Sequence, residues 1–132
     1  MIDDSPADTG LVKRSLKRMN VDHTFEAFLN GPDAVTSLSS TVAADIPPDL
    51  ILLDLNMPGM SGHDVLTQLK SHDTLSSVPV VVLSTSSSPD DVNEAYHRKA
   101  NAYVNKPPEL QDFQQAIEKI YSFWCDAAIL PE

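Results

Sequence analysis

Cysteine, glycine and aromatic residues are scarce in this 132-residue chain. The one cysteine, Cys125, cannot make an internal disulfide, and no CxxC or Cys/His spacing points to zinc. The histidines and methionines are scattered and suggest no metal site. No apolar run approaches the ~20 residues that a membrane helix needs. The first residues, MIDDSPAD, are acidic and polar, unlike a secretory leader, so a cytoplasmic location is expected. Neither GxxxxGK[ST] nor GxGxxG occurs, which disfavours nucleotide binding. Cations are also in short supply: 9 Lys and Arg against 19 Asp and Glu leave a net charge of −10. That balance argues against nucleic acid as a direct partner. It keeps the protein soluble, or reflects a salt-rich cytoplasm. The length fits one domain with one sizeable core, and no repeat, low-complexity segment or interior linker divides it.

What is present is organised around Leu50 to Gly62, LILLDLNMPGMSG. The run Leu50-Ile51-Leu52-Leu53 has no polar alternation and reads as a strand buried on both faces of a parallel sheet. It ends at Asp54 and is followed by turn chemistry, Pro58-Gly59 and Ser61-Gly62. In open α/β sheets, ligands sit beyond the carboxyl ends of the strands, which is where Asp54 stands. The ordinary alternative is a solvated acid that closes a strand.

In chain order, Met1-Ile2 leads straight into Asp3-Asp4. Ser5-Pro6-Ala7-Asp8 has the form of a helix start, with Ser5 as N-cap, Pro6 in the first turn and Asp8 complementing the dipole. Leu11, Val12, Leu16 and Met19 form its apolar stripe. Lys13, Arg14, Lys17 and Arg18 lie beside the stripe, either as a solvated, dipole-compensating face or as a docking patch for an acidic partner. His23 to Phe28 reads as a second strand, and Asn30-Gly31-Pro32-Asp33 starts a short helix. Ile46-Pro47-Pro48-Asp49 is a stiff turn into the Leu50 strand. Val65, Leu66 and Leu69 mark a helix ending near His72. A fourth strand, Val80-Val81-Val82-Leu83, stops at Ser84-Thr85. Ser88-Pro89-Asp90-Asp91 repeats the first cap and starts a helix running to about Lys99. Ala102 to Asn105 is a short strand ending at Lys106-Pro107-Pro108. The last helix carries Leu110, Phe113, Ile117, Ile120 and Trp124 near heptad spacing. Five strand–helix alternations imply right-handed crossovers and a parallel sheet with helices on both faces.

The strand ends carry chemistry together: Asp3-Asp4, Asp54, Ser84 and Lys106. Clustered carboxylates repel unless a cation neutralises them. Hard oxygen ligands with few protein contacts favour Mg²⁺. A carboxylate beside Mg²⁺ and a lysine can attack a phosphoryl group and hold the product. Singly, these are a capping acid, a turn hydroxyl and a surface cation; at one edge of one sheet they are harder to dismiss.

In these motifs the chain resembles the response-regulator receiver domains of two-component signalling. The matching pieces are Asp3-Asp4, DLNMPGMSG around Asp54, VVVLST carrying Ser84, and AYVNKP through Lys106. The resemblance spans essentially the whole chain. It implies a doubly wound, flavodoxin-like fold of five parallel strands in the order 2-1-3-4-5, and phosphoryl transfer from a histidine kinase with Mg²⁺ required. By the family pattern Asp54 is the phosphoacceptor. Asp4 is the main metal ligand, Asp3 assists, and the backbone carbonyl of Asn56 completes the set. Lys106 pairs with the phosphoryl oxygens, Ser84 is the switch hydroxyl and Tyr103 the switch aromatic. Lys106-Pro107 would be a cis peptide.

One departure is that receivers place several apolar residues before the acid pair, whereas only Met1-Ile2 stand here. The expectation is a single receiver domain over residues 1–132 whose first strand is truncated, with natural apolar residues ahead of Met1. The C-terminal stretch FWCDAAILP resembles single-domain receivers that partner phytochrome-type kinases. The resemblance further implies that phosphorylation turns Ser84 toward the phosphoryl group and swings Tyr103 inward. The altered surface would then be Pro89 to about Trp124, the face for any homodimer, with the kinase docking near the first helix. Such a protein is not an enzyme beyond promoting its own phosphoryl transfer and dephosphorylation. The alternatives are a pseudo-receiver acting as an interaction module, against which the retained site residues speak, and a haloacid-dehalogenase-type phosphohydrolase. The latter needs an acid two residues after the nucleophile, where this chain has Asn56.

Overall fold

The computed structural model describes residues 1–131. Three strands form continuous ladders: β1 (Ile51–Leu53), β2 (Val80–Ser84) and β3 (Ala102–Asn105), parallel and adjacent in that order. Ile51, Leu52 and Leu53 pair with Val80, Val81 and Val82, and Val81 to Ser84 pair with Ala102 to Asn105. β1 and β2 are buried at every position, which explains sequences without polar alternation.

The two segments expected as first and second strands are reduced to single-residue bridges. Ile2 bridges Phe28 on one side and Leu53 on the other, both in parallel. The order Phe28, Ile2, β1, β2, β3 is therefore the expected 2-1-3-4-5, but the described residues form three laddered strands rather than five full ones. The cause is local. Only Met1 and Ile2 precede the acid pair, so the 23–28 segment has almost nothing to pair with.

Five α-helices flank the sheet: α1 (Pro6–Arg18), α2 (Gly31–Ala43), α3 (Gly62–Ser71), α4 (Pro89–His97) and α5 (Leu110–Tyr121). Three begin on a side-chain cap. Ser5, Asn30 and Ser61 accept the amide hydrogens of Asp8, Asp33 and Asp64 at 3.2, 2.8 and 3.3 Å. Ser88 does not repeat that cap. The carboxylate of Asp91 instead takes the hydroxyl of Ser86 at 2.5 Å, and the Ser88 amide turns to the same Ser86 oxygen at 3.3 Å. α4 stops at His97, short of the expected end, and Lys99 lies at φ 77°, outside helical space.

The core has one layer on each face of the sheet. Ile51, Leu53, Val80 and Val82 pack with Leu38, Leu66, Leu69 and Ala95, from α2, α3 and α4. Leu52, Val81 and Leu83 pack with Val12, Phe113, Ile117 and Ile120, from α1 and α5. Leu110, expected in the α5 stripe, is exposed at the first helical residue. Past α5 the chain continues as a π-helical segment, Ser122–Ala127, in which Phe123 and Trp124 pack edge to face at 5.0 Å.

Candidate functional site

The carboxyl ends of Ile2, β1, β2 and β3 converge, and each delivers one residue of the site. Asp54 follows β1, is buried, and donates its backbone N–H to the carbonyl of Ile2 at 2.9 Å. Asp3 follows Ile2, is also buried, and donates its N–H to Phe28 at 3.0 Å. Ser84 ends β2 with no exposed surface. Lys106 follows β3, and its backbone N–H donates to the carbonyl of Ser84 at 2.7 Å.

The charges are arranged unevenly. Carboxylate oxygens of Asp3, Asp4 and Asp54 lie within 4.8 Å of one another, Asp3 and Asp54 buried and Asp4 exposed. One ammonium answers them. Lys106 Nζ donates to Asp3 Oδ2 at 2.7 Å and to Asp8 Oδ2 at 2.8 Å, and lies 3.7 Å from Asp54 Oδ1. Burial first, then the charge of Asp3, pushes the Asp54 carboxyl above its ordinary range, and Lys106 only partly offsets this. Burial works against the charge on Lys106, but the bonds from Asp3 and Asp8 outweigh it and hold its pKa above that of a free lysine.

Three acids with one lysine leave a site short of positive charge. The donors are hard oxygens and Asp4 is open to solvent, the chemistry that suits Mg²⁺ with water in its remaining positions. Asn56 is exposed in the loop after Asp54. That loop is held close by Gly62, where a Cβ would stand 2.1 Å from the Asp54 carbonyl oxygen. The need for glycine is thus the approach of α3 to the end of β1, whereas in the sequence Gly62 reads only as a turn residue.

Ser84 and Tyr103 share a partner. Ser84 Oγ accepts the N–H of Ser86 at 3.2 Å, and the half-buried Tyr103 donates its hydroxyl to the Ser86 carbonyl at 2.7 Å. Ser86 Oγ in turn donates to Asp91 of α4, which lies 3.4 Å from His63 of α3. The Lys106-Pro107 bond is trans, as are all peptide bonds among the described residues, which corrects the expected cis peptide. Here the chain leaves β3 in the ordinary isomer. Asp8 and Ser86 are the site residues missed by sequence reasoning. Asp8 was legible only as a helix-dipole acid, and Ser86 carries no pattern of its own.

The fold and this acid–lysine constellation define a receiver, and comparison with known proteins agrees. Residues 1–118 match the family model for the response regulator receiver domain. The chain is 37% identical over 133 residues to the response regulator Rcp1 of Synechocystis sp., covering 99% of this chain and 90% of Rcp1. It is 30% identical to the chemotaxis protein CheY of Pseudomonas aeruginosa, covering 92% of this chain and 93% of that one. Among solved structures, the phosphorylated cyanobacterial phytochrome response regulator RcpA matches at TM-score 0.93 and 38% identity, covering 99% of this chain and 95% of RcpA. The Mn²⁺-bound form of Rcp1 matches at TM-score 0.88 and 36% identity, covering 99% and 96%. The chain belongs to the response regulator receiver family. It is a phosphoacceptor of two-component signalling whose acid cluster is of the divalent-metal type.

Proposed function

We propose that Asp54 is the phosphoacceptor. The observation that carries this is its place: a buried carboxylate at the end of the central strand, within 4.8 Å of two further acids and 3.7 Å from Lys106. An Asp54 carboxylate oxygen forms the new P–O bond as the P–N bond to a kinase histidine breaks, and the imidazole leaves with the electron pair. Asp3, Asp4, Asp54 and the backbone carbonyl of Asn56 would hold Mg²⁺, which neutralises charge on the transferring group. Lys106 balances the charge on the product, and Ser84 and Tyr103 report it.

The partner is a sensor histidine kinase. A phytochrome-type kinase is supported by the name of RcpA, a phytochrome response regulator, and by a further match, the bacteriophytochrome response regulator AtBRR, at 31% identity. The kinase docks at the exposed Lys13, Arg14, Lys17 and Arg18 of α1, and any homodimer uses α4, β3 and α5. The reading includes a cytoplasmic protein of one receiver domain, 1–132, with no catalytic turnover beyond its own phosphoryl chemistry and no nucleic acid partner. No helix among the described residues is long and apolar enough to cross a membrane.

The test is incubation with acetyl phosphate and Mg²⁺, followed by intact-mass measurement. A single phosphoryl adduct that disappears in Asp54→Asn is expected. An adduct persisting at full stoichiometry in that variant would overturn the assignment.

A further inference from the structure

Lys106 is shared in a way that the site's assigned roles do not require. An ammonium has three protons to donate. In this structure two are committed, to Asp3 at 2.7 Å and to Asp8 at 2.8 Å, while Asp54 is only a 3.7 Å ion-pair neighbour. Asp3 belongs to the acid cluster, and Asp8 lies outside it. Asp8 stands in the first turn of α1, its amide fixed by Ser5 Oγ at 3.2 Å. Complementing a helix dipole needs only a carboxylate near the helix start and is satisfied by an exposed one. Asp8 is instead half-buried and turned inward, and it bonds an ammonium that is 7% exposed. Charge-assisted bonds of this length are the strong ones, so moving the ammonium away from Asp8 has a cost.

We propose that Asp8 is a positioning residue for phosphoryl transfer, a resting anchor that holds Lys106 back from Asp54 and must give it up when the phosphoryl group arrives. The inference rests on the reading of Asp54 as phosphoacceptor and Lys106 as its counter-ion. Asp8 then sets how much of the protein is phosphorylated at a given donor concentration. In the unphosphorylated protein, the Asp8 bond lies on the opposite side of the balance from the bond between Lys106 and the phosphoryl oxygens. Removing it favours the phosphorylated form.

The probe is beryllofluoride, a phosphoryl mimic that adds to aspartate, titrated at fixed Mg²⁺ by NMR on the full chain. Asp8→Asn keeps the side chain's shape and its place in the helix while removing the charge that competes for Lys106. The expected result is about tenfold tighter beryllofluoride binding than in the wild type, the scale of one charge-assisted bond. The same substitution is then made with Lys106→Met, where the gain should vanish. Thermal melting of each variant reports the helix-dipole role separately, and Asp8→Ser supplies a second uncharged side chain in case the asparagine variant folds poorly. Three results overturn the proposal: affinity within twofold of wild type in both Asp8 variants, weaker binding, or an equal gain in the Lys106→Met background. The last would make Asp8 a plain repulsive charge. A wild-type protein that takes no beryllofluoride at Asp54 would instead overturn the phosphoacceptor reading, which keeps the two failures apart.

Discussion

The two halves of the sheet are built to different standards. In the half formed by β1, β2 and β3, every pairing runs over three or four residues in register, and the apolar side chains of β1 and β2 are closed off on both faces. In the other half, Ile2 holds Leu53 and Phe28 by one bridge each. Five backbone bonds of 2.8 to 3.0 Å make up that whole connection, from Met1, Ile2, Asp3, Phe28 and Asp54. Behind Met1 lies a cavity of about 620 Å³ whose walls include Phe25, Phe28, Leu50, Leu52 and Ile120. The acid–lysine site nevertheless spans both halves, with Asp3 from one and Asp54 and Lys106 from the other. It needs only the last residue of each strand in place, while the rest of each strand supplies stability. Site geometry and sheet completeness are thus separable here.

The sharpest break between the halves is a truncation in each. Leu53→Ala removes a side chain with no exposed surface from the laddered half and should lower unfolding free energy by about 2–5 kcal/mol. Phe28→Ala removes a half-buried ring from the thin half and should cost less than half as much, both read from urea denaturation. Equal losses would erase the distinction.

Next comes repair of the thin half. The ladder alternation puts the carbonyl of Leu50 and the N–H of Leu52 on one wall of the cavity, with those of Thr24 and Glu26 opposite, as the next rungs. Three or four apolar residues added ahead of Met1 should occupy them and raise stability by about 1–3 kcal/mol, the burial of one or two side chains. An extension of serines should not. Matching results from the two extensions would show that the cavity does not take a strand.

A smaller effect concerns the acid at the junction of the halves. A carboxyl held above its ordinary range, as burial and Asp3 hold Asp54, is better tolerated protonated. Its contribution is fully present below the unfolded carboxylate range and is lost as pH rises through the folded value. Asp54→Asn should therefore melt higher than wild type at neutral pH without Mg²⁺, and the two curves should meet in acid. A lower melting point for the variant at pH 7 would contradict this.

The smallest expected effect lies at Met1. Burial lowers its α-amine from the ordinary 8.0 to about 6, against the pull of Glu26 and Asp3, while the amine donates to the Glu26 carbonyl at 2.8 Å. The unfolded chain binds the extra proton through that window, so stability should rise from about pH 6 to 8. N-terminal acetylation should flatten that slope relative to the unmodified chain, which isolates the amine's share.

The laddered half was the legible half. Continuous apolar runs before Asp54 and Ser84 declare strands buried on both faces, and acids or hydroxyls at their ends declare a site. Asp54 and Ser84 were found this way; Asp3 was found from the acid pair and Lys106 from the short strand before it, and the structure brings Asp3 and Asp54 to Lys106. The second strand was overdrawn because the composition of residues 23–28 says nothing about whether a partner is long enough to pair with them. The Lys106–Asp8 bond joins positions 98 residues apart and leaves no local pattern. Gly62 was visible, but its purpose depends on a carbonyl from another element. The isomer at Pro107 was assigned by resemblance alone, and the structure has the other one.

The hydrogen bonds at Ser86 carry a consequence for how phosphorylation can be observed. One residue's N–H is tied to the serine that ends β2, and its C=O to the ring of Tyr103. If Ser84 rotates toward a phosphoryl group, the first tie is released; if Tyr103 swings inward, the second goes. A single residue therefore acts as a two-channel meter. Its amide nitrogen and hydrogen register the hydroxyl, while its carbonyl carbon registers the tyrosine. Recorded together during a phosphorylation titration, the two resonances would reveal whether the parts of the switch move in one step or in sequence.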